Sequence, residues 1–149
     1  MRLKKGVLLA FLSLPLVFVG ATASAQTYNH VLSSGLFSLP EGANSVDWAL
    51  VNNSAVSRTV RVTVYRHGIG IPRAAVPPGA LTVTIAAEGA THNANSVGSG
   101  QPFEPGFYYE VVLETNSLRV LPVVHLWQNA SNTVIPGTAI PAGSWARIR

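Results

Sequence analysis

Residues 59–66 read Thr-Val-Arg-Val-Thr-Val-Tyr-Arg, and this stretch decides the fold. Valine stands at 60, 62 and 64, while polar or aromatic residues stand between the valines. Successive side chains of a strand point to opposite faces, so a period of two predicts a strand with one apolar face. The stretch therefore indicates a sheet that is buried on one side.

Similar alternation recurs in the segments 46–50, 81–85 and 107–114, and Trp48 falls on the apolar face of the first. Residues 118–127 are more uniformly apolar, which predicts a strand covered on both faces. Pro122 lies within it and lacks a backbone donor, so it indicates an edge position or a bulge. Breaks rich in Asn, Gly, Pro and Ser separate these segments. The pattern predicts an all-β fold, an antiparallel, immunoglobulin-like β-sandwich of about 7–8 strands.

A weak internal repeat accompanies this pattern. Residues 71–79 (Ile-Pro-x-x-Ala-Val-Pro-x-Gly) match residues 135–143 (Ile-Pro-x-x-Ala-Ile-Pro-x-Gly). The strand pairs before the two copies also correspond, which suggests two halves at about 34–87 and 99–149. Either the chain is duplicated, or Pro and Gly recur because bends need them. The Gly-, Asn- and Ser-rich residues 88–106 are then expected to be a linker, most flexible at 96–100.

The first 25 residues have the pattern of a cleaved signal peptide. Arg2, Lys4 and Lys5 precede an almost unbroken apolar run over residues 6–19, and Ala-Ser-Ala follows at 23–25. Such a run is shorter than the roughly 20 residues of a membrane span, and small residues at 23 and 25 suit signal peptidase. We therefore expect an exported protein without an integral membrane span after cleavage.

Cleavage after Ala25 leaves 124 of the 149 residues, enough for one domain. We expect an N-terminal arm and first strand at 26–45 and the sandwich body at 46–149. The net charge of +4 falls to about +1, because three of the ten basic residues lie in the signal peptide. No basic cluster remains for nucleic acid. The chain has no cysteine, so the hydrophobic core alone must stabilise the exported fold. Cysteine-free exported proteins are commoner in bacteria.

Catalytic groupings are not evident, and we expect no enzyme. Asp47 is the one aspartate of the chain, no Gly-x-Ser-x-Gly occurs, and nothing groups Ser, His and Glu. Glu110 and Glu114 lie on one strand face, about 13 Å apart at strand rise, which suits neither glycosidase geometry. A solvated outer face is the expected surrounding of both carboxylates.

Metal and other cofactor sites are also not predicted. The four histidines are unpaired in the sequence, at positions 30, 67, 92 and 125. His125 lies in an apolar strand, where a semi-buried, hydrogen-bonded histidine is the expected reading. The mature chain would begin with Gln26, whereas copper enzymes that oxidise polysaccharides begin with His. A metal-binding protein with a hidden site of three histidines, or a hydrolytic protein, is kept as a minor alternative.

Aromatic residues suggest a glycan-binding alternative. Trp127, Trp145 and Tyr108 are the candidate ligand-binding residues, because aromatic side chains facing outward form flat surfaces on which sugars stack. Packing within the sheet is the competing interpretation, since aromatic residues favour strands in any case.

Protein contact is the leading expectation. Only 11% of the residues are charged, and sparse charge favours association. Residues 28–40 could pair within the chain or with the open edge of a neighbour. The Asn-x-Ser turn at 52–54, the valine strand and the Pro-Gly bend are together similar to bacterial immunoglobulin-like adhesion modules in general. We therefore expect a secreted, periplasmic or surface-associated module for adhesion or assembly, whose partner is another protein or a copy of itself.

Overall fold

The computed structural model describes residues 26–96, 103, 106–128 and 133–149. The predicted signal peptide at 1–25 and most of the predicted flexible stretch at 96–100 lie outside the described residues. No helix in the described ranges is long and apolar enough to cross a membrane.

The described chain is built almost entirely of strands, with a 3₁₀ turn at Ala142–Ser144. In chain order the strands are β1 (His30–Ser33), β2 (Phe37–Ser38), β3 (Ser45–Asn52), β4 (Arg58–Gly68), β5 (Ile71–Ala75), β6 (Leu81–Ile85), β7 (Ala90–Ser96), β8 (Tyr108–Thr115), β9 (Val120–Gln128), β10 (Thr133–Val134) and β11 (Ala146–Arg147). Eight of them have four residues or more, in agreement with the expected number.

Two antiparallel sheets pack against each other, which confirms the predicted β-sandwich. Sheet A has the order β11-β1-β8-β4-β5, with β2 also paired to β8 and β6 also paired to β4. Sheet B has the order β10-β9-β3-β7. The N-terminal arm pairs within its own chain, because β1 lies between β8 and β11 and β2 pairs with β8.

The core lies between the sheets and follows the alternation of the sequence. The three valines of β4 at 60, 62 and 64 are buried, as are Trp48 of β3 and Leu113 of β8. Burying a side chain of this size contributes about 1.5–3 kcal/mol relative to leaving it in water. A cysteine-free chain can therefore obtain its stability from this layer.

The two halves use equivalent strand pairs. β3 leads into β4 and pairs with β9, while β8 leads into β9 and pairs with β4. The turns that follow β3 and β8 also correspond. Asn52 Oδ1 accepts the backbone N–H of Ser54, and Thr115 Oγ1 accepts the backbone N–H of Ser117. The strand pairs that the sequence repeat matched thus occupy related positions on opposite sheets.

Two sequence expectations are wrong. Residues 90–96 of the expected linker form β7, which pairs with β3 along seven residues. β9 begins at Val120 and is fully buried on only one face, since Leu121 on the outer face is 41% exposed and the next three residues of that face are half-buried. The two sheets of a sandwich cover each other on one face only, so no third layer covers the outer face of β9.

Pro122 occupies an edge position, as expected. The Val124 N–H donates to Ile140 O on the side of β9 away from β3. Backbone groups two residues apart in a strand point to the same side, so the missing donor of Pro122 also points away from β3. β10 pairs only with Trp127 and Gln128, so the edge of β9 at Pro122 has no ladder partner among the described strands.

Candidate functional site

Tyr108 marks one end of the sandwich, where β8 begins and β4 ends. Its register partners are His67 of β4 and Ser38 of β2. The turn between β4 and β5 and the segment that follows β2 therefore lie beside it. We call this region, formed by residues 36–43, 67–71, 103 and 106–108, the Tyr108 end.

An aromatic cluster forms the base of the Tyr108 end. The Tyr109 ring is fully buried, with its centroid 5.2 Å from that of Phe103 and 6.5 Å from that of Phe37. The Arg66 guanidinium lies 4.6 Å from the centre of the Phe107 ring. Tilted ring pairs and a guanidinium over a ring are favourable arrangements, so this base is well packed.

Two adjoining clefts open above this cluster, with volumes of about 540 and 560 Å³. Ser38, Pro40 and Tyr108 line both clefts. Apolar side chains dominate both linings, and the Glu41 carboxylate belongs to the first cleft. The clefts have the size and apolar character of sites that bind small ligands or anchoring side chains.

Exposed aliphatic side chains surround the clefts. Ile69 at the tip of the β4–β5 turn is 91% exposed, and Leu36, Ile71 and Tyr108 are also exposed. Gly68 brings the turn close to the first cleft, because a Cβ built there would lie 2.8 Å from Phe107 Cε1. Gly68 therefore packs against the Phe107 ring of the cleft wall, and the exposed Ile69 is the next residue of this turn.

The structure does not bring the three predicted aromatic residues into one cleft. Trp127 lies on the outer face of sheet B opposite Ser45 and Val134, and its indole N–H is buried without a partner in the described structure. Trp145 packs partly buried against the core, and its Nε1 donates to Ile140 O at 3.4 Å. Of the three, Tyr108 lines both clefts and is 46% exposed.

Glu110 lies in a polar network on the outer face of sheet A rather than on the solvated face expected for it. It is only 8% exposed. Ser33 Oγ donates to its Oε1 at 2.5 Å, while its Oε2 lies 2.9 Å from His67 Nε2 and 3.3 Å from Arg73 Nη1. Glu114, on the same face, forms an ion pair with Arg61.

This network links strands rather than preparing a nucleophile. In a hydrolase triad the histidine would take the proton of the serine hydroxyl. Here both Ser33 and His67 bond to the carboxylate, and Ser33 is buried. The four side chains come from β1, β4, β5 and β8, so the network stabilises the packing of these neighbouring strands.

A second group of titratable side chains lies on the outer face of sheet B. Asp47 stands opposite His125, and His92 is diagonal to it on β7. Burial raises the pKa of Asp47 above its ordinary value of 3.8, while the two imidazoles oppose that rise. His125 is half-buried as expected, but its Nδ1 has no hydrogen-bond partner in the described structure. No group of three or more His, Asp or Glu in the described ranges has a geometry that could hold a metal ion.

The Tyr108 end was only partly accessible to sequence reasoning. Tyr108 is a predicted site residue, and Leu36 and Pro40 belong to the segment 28–40 that was expected to pair in its own chain or with a neighbour, whereas Ile69 was not singled out. A signal existed in residues 67–72, His-Gly-Ile-Gly-Ile-Pro, where two isoleucines occupy a glycine-rich turn. Turns usually carry polar residues, so exposed aliphatic residues there indicate a contact surface.

The comparisons with known proteins assign no family. No protein-family model matches the chain, and no curated protein matches it. One solved structure, the "Anabaena sensory rhodopsin transducer", is similar over 72% of this chain and 89% of that chain, at 17% sequence identity and a TM-score of 0.40. The family of this chain is therefore not assigned by similarity.

Proposed function

We propose that the protein is an exported, non-catalytic β-sandwich module that acts by contacting other proteins through the Tyr108 end. The observation that carries the proposal is the 91% exposure of Ile69, in the turn whose Gly68 packs against Phe107 of the first cleft. An exposed aliphatic tip next to apolar depressions costs solubility, and such surfaces are characteristic of interaction sites.

The composition of the Tyr108 end supports this choice. The central parts of protein interfaces are poor in charged residues and rich in aromatic ones. Four aromatic residues line the clefts, namely Phe37, Phe103, Phe107 and Tyr108, and Glu41 is the one acidic residue among their described lining. An aliphatic or aromatic anchor from a partner would fill a cleft and remove the surrounding apolar surface from water.

Export is part of the proposal and rests on the first 25 residues. The basic start, the apolar run and the Ala-Ser-Ala site favour transport across a membrane followed by cleavage before Gln26. A cysteine-free β-sandwich with few charges suits a periplasmic or cell-surface location in a bacterium.

Site-specific photo-cross-linking in the cells that make the protein tests the contact surface. A photoreactive phenylalanine analogue replaces Ile69 in the full-length chain, and the matched control carries it at Thr82, exposed on the outer face of sheet A. We expect protein adducts from position 69 and not from position 82. Equal adducts at both positions, or none at position 69, would contradict the proposal.

Glycan binding is a second candidate function, favoured by the position of Tyr108. This half-exposed ring lines both clefts, and the carboxylate of Glu41 nearby could accept bonds from sugar hydroxyls. Calorimetric titration with cell-wall and plant polysaccharides tests it, with Tyr108→Ala as the variant and Tyr65→Ala as the control. Heat that Tyr108→Ala removes and Tyr65→Ala leaves would support binding. No heat across a broad panel would end this alternative.

A further inference from the structure

We propose that the free edge of β7 pairs with β7 of a second copy of this chain, giving a two-fold symmetric dimer whose sheet B continues through both copies. This pairing uses a surface on the side of the sandwich, separate from the Tyr108 end. It therefore goes beyond the proposed function and does not depend on it.

The backbone of β7 has one satisfied side and one open side. The Asn52 N–H donates to Gly89 O at 2.8 Å, which fixes the alternation of the β3–β7 ladder. Odd-numbered residues of β7 therefore turn their N–H and C=O groups toward β3. The backbone groups of Ala90, His92, Ala94 and Ser96 point outward, and no described strand pairs with that side of β7.

The other sheet edges are short or interrupted. β10 and β11 have two residues each. β5 contains Pro72 and follows an irregular register between Arg66 and Gly68, and the edge then passes from β5 to β6 through the turn at 76–80. β7 has seven residues without Pro, Lys, Arg or a bulge. Proteins usually interrupt or charge their exposed edges, so an unprotected one favours strand addition.

A side-chain bond closes the outward edge of the single chain at one point. The Asn93 Oδ1 accepts the outward N–H of the next residue, Ala94, at 2.8 Å. Without this local bond, the Ala94 N–H would donate to water or to another strand. When a second strand arrives, its backbone carbonyl replaces the Asn93 amide.

The edge is complementary to itself. A two-fold axis at Asn93 places Ala94 of one copy opposite His92 of the other, and Ala90 opposite Ser96, so the ladder gains about eight backbone hydrogen bonds. The two Asn93 amides meet at the axis, where each can donate to the other.

Asp47 gains a partner in this dimer. Asp47 stands opposite Ala94 in the β3–β7 register, and Ala94 stands opposite His92 of the second copy. Two strand spacings, about 9.6 Å, separate Asp47 from that histidine, and the residue between them is an alanine. The buried Asp47 Oδ1 has no hydrogen-bond partner in the described structure, and the imidazole of the second copy lies within reach of it.

Disulfide trapping tests the pairing directly, because the chain has no cysteine. In the symmetric dimer the two residues at position 93 form a non-hydrogen-bonded pair with a Cα separation of about 4.5 Å, within the range of disulfides. Asn93→Cys is therefore expected to form a covalent dimer of the mature chain in mild oxidant. His92→Cys, one residue away, is the matched control, because position 92 faces position 94 of the second copy and not itself.

Sedimentation velocity across a wide concentration range completes the test. We expect the unmodified mature chain to dimerise and Ala94→Pro, which removes the outward donor, to remain monomeric with an unchanged circular dichroism spectrum. Ile69→Asp should leave this dimer intact. The β7 pairing can therefore be tested separately from the proposed protein contact at the Tyr108 end. A strictly monomeric chain, or equal trapping at positions 92 and 93, would overturn the pairing.

Discussion

Asn52 provides the sharpest test of how the sandwich is held together at the end opposite Tyr108. Its side chain is fully buried. Its Nδ2 donates to Val56 O and Ala86 O at 2.8 Å each, and its Oδ1 accepts from the N–H and hydroxyl of Ser54 at 3.1 and 2.6 Å. One amide thus joins the β3–β4 turn to the end of β6.

Asn52→Ala removes all four of these hydrogen bonds at once. Each hydrogen bond contributes about 1 kcal/mol net, and buried groups left without a partner cost more than that. We therefore expect the free energy of unfolding to fall by about 3–4 kcal/mol. That is a large share of the roughly 5–15 kcal/mol of a typical domain.

Urea unfolding of the mature chain, followed by tryptophan fluorescence, measures this loss. Thr115→Val is the matched variant in the other half, where the side chain makes two hydrogen bonds to Ser117, and we expect it to cost about 1–2 kcal/mol. Asn53→Ala changes an exposed neighbour and should cost less than about 0.5 kcal/mol. A loss below about 1 kcal/mol for Asn52→Ala, or an equal loss for Asn53→Ala, would refute the reasoning.

Four further outcomes are expected. Asp47→Asn should raise the melting temperature at neutral pH, because burial raises the pKa of Asp47 and the fold therefore favours its protonated form. The gain should fade as the pH falls through this raised pKa toward the ordinary value of 3.8, and a constant gain at all pH values would contradict this account. Glu110→Gln should lower the free energy of unfolding by about 1.5–3 kcal/mol in urea titrations, since one of the two carboxylate oxygens in the network becomes an amide NH2 group that cannot accept a hydrogen bond. No change in the free energy of unfolding would show that the network does not stabilise the fold. Gly137→Ala should lower the free energy of unfolding by about 1 kcal/mol, because the residue has a φ of +76°, which L-residues rarely adopt. An added Cβ would have no atom within 4 Å, so this backbone strain is the whole effect, and an unchanged melting curve would show that the turn relaxes. Mass spectrometry of the protein from its own cells should find Gln26 at the N-terminus, and an intact residue 1 would remove the support for export.

Local periodicity was enough to predict the core but not the edges. Val60, Val62 and Val64 alternate with polar residues because one face of β4 meets the second sheet, and that pattern is visible in the sequence. β7 escaped detection because its positions facing the other sheet are polar. Asn95, for example, donates to Pro77 O instead of packing in an apolar layer. An edge strand with hydrogen-bonded inward residues has no apolar period to recognise.

The candidate site was likewise predicted only where a local pattern marks it. Tyr108 was predicted because an aromatic residue on the polar face of a strand is visible in the sequence. The neighbourhood of Ile69, Leu36 and Pro40 depends on the pairing of β2 and β4 with β8, and such long-range register is not encoded in any local pattern. Trp127 and Trp145 are both aromatic residues in apolar surroundings, yet the sheets place them on different surfaces.

Cysteine accessibility in living cells tests the central claim most directly, that the Tyr108 end of an exported domain is covered by a partner. Ile69→Cys and Thr82→Cys introduce the single thiol of each chain, and a membrane-impermeant maleimide reports on both positions. We predict that both thiols react in the purified mature protein, and that in cells the thiol at position 82 reacts while the one at position 69 is protected. Equal reaction at both positions in cells would contradict the account, because no partner would then cover the Tyr108 end.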